Sequence, residues 1–310
     1  MPPPRTVAGM TTTTNTTTPK ETVNATRWRI WHEEGLPINL DPRLRAIGTY
    51  SEAAITSVTS LAGELETLLE RYEPTRAIDR FLAGSSEWIE RLERWASLHV
   101  LERLSQLTGT GLKRPSWQPP STTLRRRVLF DVEIGLVRHS SLDSVVRCAS
   151  VGSLDMGLAS GELNRFCERA ILWDGSQLAT AVSAPGTERA SAFGYPVAAP
   201  RQLPVPNWAR PSISQLATGA PSDSLLLYGG RSTDPAKIQS SILMVVRKAL
   251  MRAGLGDDPT ITPLSIRNTA GRRVYDAHGL EAAAAFLGHD DLMSVAREIG
   301  VREHRPTRMR

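Results

Sequence analysis

Arginine and histidine side chains are suited to gripping an anion, and Arg267 and His289 are among those of this 310-residue sequence. A guanidinium offers five N–H donors in a planar fork that matches a phosphate or a carboxylate, and an imidazole can bond the same oxygens. Each also has a plainer reading. Arg267 could be a helix arginine paired with Asp276 or Glu281, and His289, directly after Leu287-Gly288, could be a capping histidine kept for packing. Arg272 and Arg273 face either phosphates or solvent. Tyr275 lies eight residues beyond Arg267 on much the same helical face; a nucleophile there is imaginable, but buried packing is the simpler role. A second basic group, Lys113, Arg114, Arg125, Arg126 and Arg127, falls in a stretch with three prolines and no acid, the composition of an extended, exposed segment crossing a polyanion. The end of the chain, 301–310, holds four arginines against Glu303.

Other chemistry finds little support. Cys148 and Cys167 form neither a disulfide framework nor a metal-ligand spacing, and His32, His99, His139, His278 and His304 have no ligand-like spacing either, so no metal and no cofactor are expected. The formal net charge of +5 tilts the choice of partner toward anions. Hydrophobic residues at 40% and charged residues at 22% describe a globular chain able to bury a core, not a disordered one. No secretory signal and no membrane-spanning run is evident, which points to a cytoplasmic protein, nucleoid-associated if bacterial.

These groups need elements to position them. Residues 1–40, with a triple proline and a threonine-rich run, read as a poorly ordered tail. From 41 to 112 the pattern is helical. Ser51 serves as an N-cap, Pro74 stops that helix after Glu73, Gly84-Ser85-Ser86 splits the next run, and Trp88, Leu92 and Trp95 line one core face. The basic linker, 113–127, marks a domain boundary. Beyond it, 128–300 reads as a mixed domain: helices over 129–151 and 161–170, short strands at 178–184 and 201–206, an amphipathic helix over 236–255, and two helices over 265–287 broken near Gly279. The fold class is mainly α with a small β-hairpin or sheet.

The segment 261–300, ITPLSIRNTAGRRVYDAHGLEAAAAFLGHDDLMSVAREIG, resembles the C-terminal catalytic core of the tyrosine recombinases, the family that includes phage integrases. That family carries a His-x-x-Arg pair and a helix, then a Leu-Gly-His turn, then a helix bearing a nucleophilic tyrosine. Arg267 and Leu287-Gly288-His289 stand in the matching places. MGLASGEL, 156–163, resembles the family's Thr-Gly-Leu-Arg-x-x-Glu-Leu segment, and RQLPVP followed by LLLYGG is similar to its hairpin exit and next element. The resemblance covers 128–300 and implies a DNA breaking-rejoining fold there, with 41–112 as a core-binding-like helical domain. The implied reaction is attack of the tyrosine oxygen on a DNA phosphate, giving a phosphotyrosyl link and a free 5′ hydroxyl. Two arginines, a histidine and a hairpin lysine would stabilise the charge that develops.

Against that pattern four positions depart. Ala159 stands where the first arginine belongs, and Leu264 where the His of His-x-x-Arg would lie. The hairpin between Leu178 and Pro206 has no lysine, only Arg189 and Arg201. No tyrosine follows His289, and Glu298 and Ile299 sit nearest the nucleophile's position. Losing one such donor costs about 3–4 kcal/mol of transition-state stabilisation, and losing the nucleophile removes the pathway. Neither Glu298 nor Ser294 is a plausible replacement. The sequence thus leads to a DNA-binding, recombination- or integration-type protein of mobile-element character, a pseudoenzyme that keeps a remnant phosphate site at Arg267 and His289. Double-stranded DNA is the expected partner, with self-association or pairing with sister recombinase chains as further expectations. Two alternatives stand beside it: an active or partner-completed site-specific recombinase, and a protein-interaction module on a recombinase fold.

Overall fold

The computed structural model describes residues 40–108, 127–173, 179–184 and 200–301. Four helices come first: α1 (Leu40–Ile47), α2 (Glu52–Leu69), α3 (Pro74–Ala83) and α4 (Trp88–Thr108). Ser51 caps α2 as expected, its hydroxyl accepting the Ala54 N–H at 3.1 Å. The helix ends at Leu69, earlier than expected, and Pro74 opens α3 as its first residue, where its fixed φ and missing N–H cost nothing. The break at Gly84-Ser85-Ser86 falls where the sequence places it. Leu92 is buried, but Trp88 opens α4 and stays 41% exposed, so the core face begins one turn later than the spacing suggested.

After the chain resumes at Arg127, the run expected as one helix divides into α5 (Asp131–His139) and α6 (Val145–Asp155), because Ser144 caps the second by accepting from the Arg147 N–H. The helix expected over 161–170 shrinks to the single turn α7 (Ser160–Leu163) and a 3-10 turn, followed by a strand the sequence reading missed. That strand, β1 (Ile171–Trp173), pairs antiparallel with β2 (Ala179–Ala184), which pairs antiparallel with β3 (Arg201–Pro204). The hairpin register sets Ala184 opposite Arg201 and Val182 opposite Leu203. Helices α8 (Arg210–Ala217), α9 (Pro235–Arg252), α10 (Pro263–His278), α11 (Leu280–Leu287) and α12 (Leu292–Glu298) complete the order. The fold is mainly helical with one small three-stranded antiparallel sheet.

Helix α6 is the central strut. Every residue from Cys148 to Asp155 is buried, and it packs against α8, α9 and α10. One hydrophobic cluster runs through both halves of the chain, from Leu40 and Leu104 to Ile266. Helices α2 and α4 both pack on α5, and Tyr50 lies so close to Gly135 that any Cβ there would overlap its ring. The far end is different: α12 rests on a separate small cluster of Ala283, Ala284, Leu287, Val295 and Ile299. Among the described residues no helix is long and apolar enough to cross a membrane.

Candidate anion-binding site

The site is assembled by glycines at two turns. Gly157, just after α6, adopts a φ of +96°, and a Cβ on it would come within 2.8 Å of the Phe286 ring. Only a glycine fits that backbone and that approach without strain. Its carbonyl oxygen accepts from Arg267 Nε at 3.2 Å and from Arg201 Nη2 at 3.0 Å. Gly288 ends α11 in the left-handed conformation at φ +71°, with the His289 N–H returning to the Ala284 carbonyl at 3.0 Å. That turn aims the Leu287 carbonyl and the His289 ring back at α10, which carries Arg267.

Arg267 is buried, its side chain 6% exposed. Nη2 donates to the Leu287 carbonyl at 2.6 Å, and Nη1 donates to Glu298 Oε2 at 3.1 Å. His289 Nε2 lies 3.3 Å from Nη2 and 3.5 Å from Nη1 of the same guanidinium, and 3.5 Å from Glu298 Oε2. Burial lowers the pKa of Arg267, with Glu298 and Glu162 working the other way and the charge of Arg201 adding to the lowering. For Glu298 burial opposes ionisation, but the hydrogen bond with His289 and the charge of Arg267 outweigh it and hold the carboxyl below its ordinary value. The site therefore contains an ionised carboxylate seated on a buried guanidinium.

Arg201 is a residue of the candidate site that sequence reasoning missed. It opens β3 and makes a two-pronged ion pair with the fully buried Glu162, Nη1 to Oε1 at 2.7 Å and Nη2 to Oε2 at 3.0 Å, while Nε donates to the Phe286 carbonyl at 2.7 Å. Glu162 also accepts the Ala159 N–H at 2.6 Å. A second guanidinium thus stands beside Arg267, tied through Glu162 to the Ala159 N–H. The only sequence signal was that Arg201 is one of two basic residues in the hairpin region.

The remaining sequence-derived positions separate. Leu264 is partly buried and packs against the main core. Arg272 pairs with Asp276 at 2.8 Å and lies over the Tyr275 ring, and Tyr275 packs on the small cluster beside α12. Arg273 bonds Asp155, a buried carboxylate that also accepts from Arg138 at 2.9 Å and from the Trp208 indole at 3.1 Å. Arg127 corrects the expectation of an exposed linker cation. Its guanidinium is buried, bonding Glu133 at 2.6 Å and 2.7 Å and Asp258 at 3.1 Å, which leaves no open face for a DNA backbone. Lys113, Arg114, Arg125 and Arg126 lie outside the described residues. Arg267 pairs with neither Asp276 nor Glu281 but with Glu298. Among the described residues no group of three or more His, Cys, Asp or Glu side chains could hold a metal ion.

No protein-family model matches the chain, and no curated protein sequence matches it. Similar solved structures do exist. XerA recombinase is 13% identical with a TM-score of 0.45, over 91% of this chain and 93% of that one. The Tn1549 transposon integrase in complex with transposon right end DNA is 13% identical with a TM-score of 0.41, over 77% and 88%. A lambda integrase dimer bound to a COC' core site is 12% identical with a TM-score of 0.40, over 87% and 79%. All three are recombinases or integrases.

Proposed function

We propose that this chain is a double-stranded-DNA-binding protein of the tyrosine recombinase or integrase type in which a phosphate site persists without the means to cut. One observation carries the reading. Gly157 and Glu162 from the first resembling segment, Arg267 from the second and His289 from the Leu-Gly-His turn are far apart in sequence, yet they meet within hydrogen-bond reach of one another or of shared partners. Gly157 and Glu162 are motif matches on either side of Ala159, and Arg267 and His289 are the positions that the resemblance assigns to an anion-binding centre. Arg201 adds a second guanidinium to it.

Among the described residues, nothing at the site supplies the cleavage chemistry that the resemblance calls for. A carboxylate, Glu298, stands where the resemblance calls for a tyrosine, with the buried Ile299 after it, and Leu264 carries no proton. A carboxylate and a phosphodiester repel each other, which weighs against Glu298 in the nucleophile's part. The role that fits is occupancy or regulation of DNA in the cytoplasm, on a mobile element. Pairing with sister recombinase chains or with a second copy belongs to the same proposal, and the exposed Leu292 and Met293 on α12 favour it.

The test is a titration of duplex DNA across salt. Each phosphate neutralised releases counterions, so the logarithm of the binding constant should fall linearly with the logarithm of salt concentration, by about 0.9 per phosphate contact. Affinity that stays flat between low and physiological salt would overturn the proposal. A nicked suicide substrate should leave no denaturation-resistant protein–DNA adduct on the purified chain.

A further inference from the structure

The guanidinium of Arg267 is enclosed on every side by polar neighbours. Its Nε and Nη2 are tied to the carbonyls of Gly157 and Leu287, and its remaining N–H groups face His289 and Glu298. A phosphate oxygen can reach this guanidinium only if one partner leaves. The two carbonyls are backbone, locked by the turns at Gly157 and Gly288, and His289 is fixed by the second of those turns. Glu298 differs from them. Its side chain is 38% exposed, and it projects from a seven-residue helix that rests on the small cluster rather than on the main core. It is the one partner that can swing away without dismantling the fold.

We propose that Glu298 is a resident anion: its carboxylate fills the Arg267–His289 site in the unliganded chain and is exchanged for a DNA phosphate, so that α12 gates entry to the site. The carboxylate and a phosphodiester each carry one negative charge and accept the same N–H donors, so the buried guanidinium stays neutralised before and after the exchange. His289 Nε2, equidistant at 3.5 Å from Glu298 Oε2 and Arg267 Nη1, faces the incoming anion as it faces the outgoing one. The charged and titratable groups facing Glu298 are Arg267 on α10 and the His289 imidazole after α11, with Arg201 on β3 and Glu162 on α7 acting on Arg267 behind them. The choice of DNA as the source of the phosphate rests on the function proposed above; the plug itself does not.

The experiment compares the full chain with Glu298→Gln and Glu298→Ala, using inorganic phosphate in calorimetry and a short duplex in fluorescence anisotropy. A third variant, Asp290→Asn, removes the same charge from an exposed neighbour outside the site. Both Glu298 variants should bind phosphate at least about tenfold more tightly than the unaltered chain, the scale of one charge-assisted hydrogen bond released. Asp290→Asn should not, and adding Arg267→Lys to Glu298→Gln should abolish the gain. Glu298→Gln keeps the side-chain size, so its fold can be checked by thermal melting alongside. Equal phosphate affinity in the unaltered chain and both Glu298 variants would overturn the plug, as would an equal gain from Asp290→Asn. A phosphate gain with no duplex binding by any variant would keep the plug and dismiss DNA as its ligand.

Discussion

Arg127 and Arg267 are both buried guanidiniums held by carboxylates, yet their surroundings act on them in opposite directions. Arg127 has two carboxylates, Glu133 fully buried and Asp258 nearly so; burial works to lower its pKa, but the attraction of the two acids wins and raises it. For Arg267 burial lowers the pKa and the charge of Arg201 adds to it, and the partly exposed Glu298 and the more distant Glu162 do not outweigh them. The first arrangement is closed and over-compensated, the signature of a structural ion pair. In the second, Glu162 is taken up by Arg201, and the carboxylate that bonds Arg267 directly, Glu298, is partly exposed and can leave. The comparison teaches that burial of an arginine does not by itself distinguish a staple from a binding site; the placement of its counter-charge does.

Glu133→Gln gives the largest expected effect. It strips the main counter-charge from Arg127 inside the core and also weakens the cap on the Phe130 N–H, which Glu133 accepts at 2.9 Å. Breaking a buried pair on one side should cost about 3–5 kcal/mol in urea unfolding, and it should leave phosphate binding at Arg267 unchanged in whatever protein remains folded. A cost as small as that of a surface pair would erase the distinction between the two arginines.

Gly157→Ala should cost less, about 1–3 kcal/mol, through the strained backbone and the overlap with Phe286. Here the effect on anion binding should exceed the effect on stability, because the carbonyl that aims both Arg201 and Arg267 is displaced. Preserved phosphate and duplex affinity in the alanine variant would show that the shared carbonyl does not set the site.

The smallest effect is the response to acid. The pKa of Glu298 is depressed in the fold, so its stabilising attraction is complete above the unfolded carboxyl's value of about 4.3 and disappears as pH falls through the lower folded value. Over that window α12 should lose protection in amide exchange before the main core does, and Glu298→Gln should remove the step. An acid transition of α12 that persists in the glutamine variant would assign it to another group.

How much of this was legible in the sequence depends on the distance over which each residue acts. Arg267 and His289 were legible because they stand at the places of the His-x-x-Arg and Leu-Gly-His motifs that 261–300 resembles, and the left-handed turn at Gly288 brings them together. The long helix α9 and the strands β2 and β3 were legible from their periodicity. Arg127 was misread because composition near a proline-rich segment says nothing of Asp258, 131 residues away, which draws it inside. Arg201 was passed over for the same reason: its meaning comes from Glu162 on another element, and its own neighbours in the chain give no hint of burial. Glu298 was read as a missing nucleophile, whereas its contacts make it a present ligand. The split between α5 and α6 and the existence of β1 hinge on one serine cap and three residues of pairing, signals too local for periodicity to register.

The oxygen of Gly157 joins the two guanidiniums into a single yoke between the hairpin and α10. A displacement of β3 large enough to carry Arg201 off that oxygen would therefore change what surrounds the acceptor of Arg267.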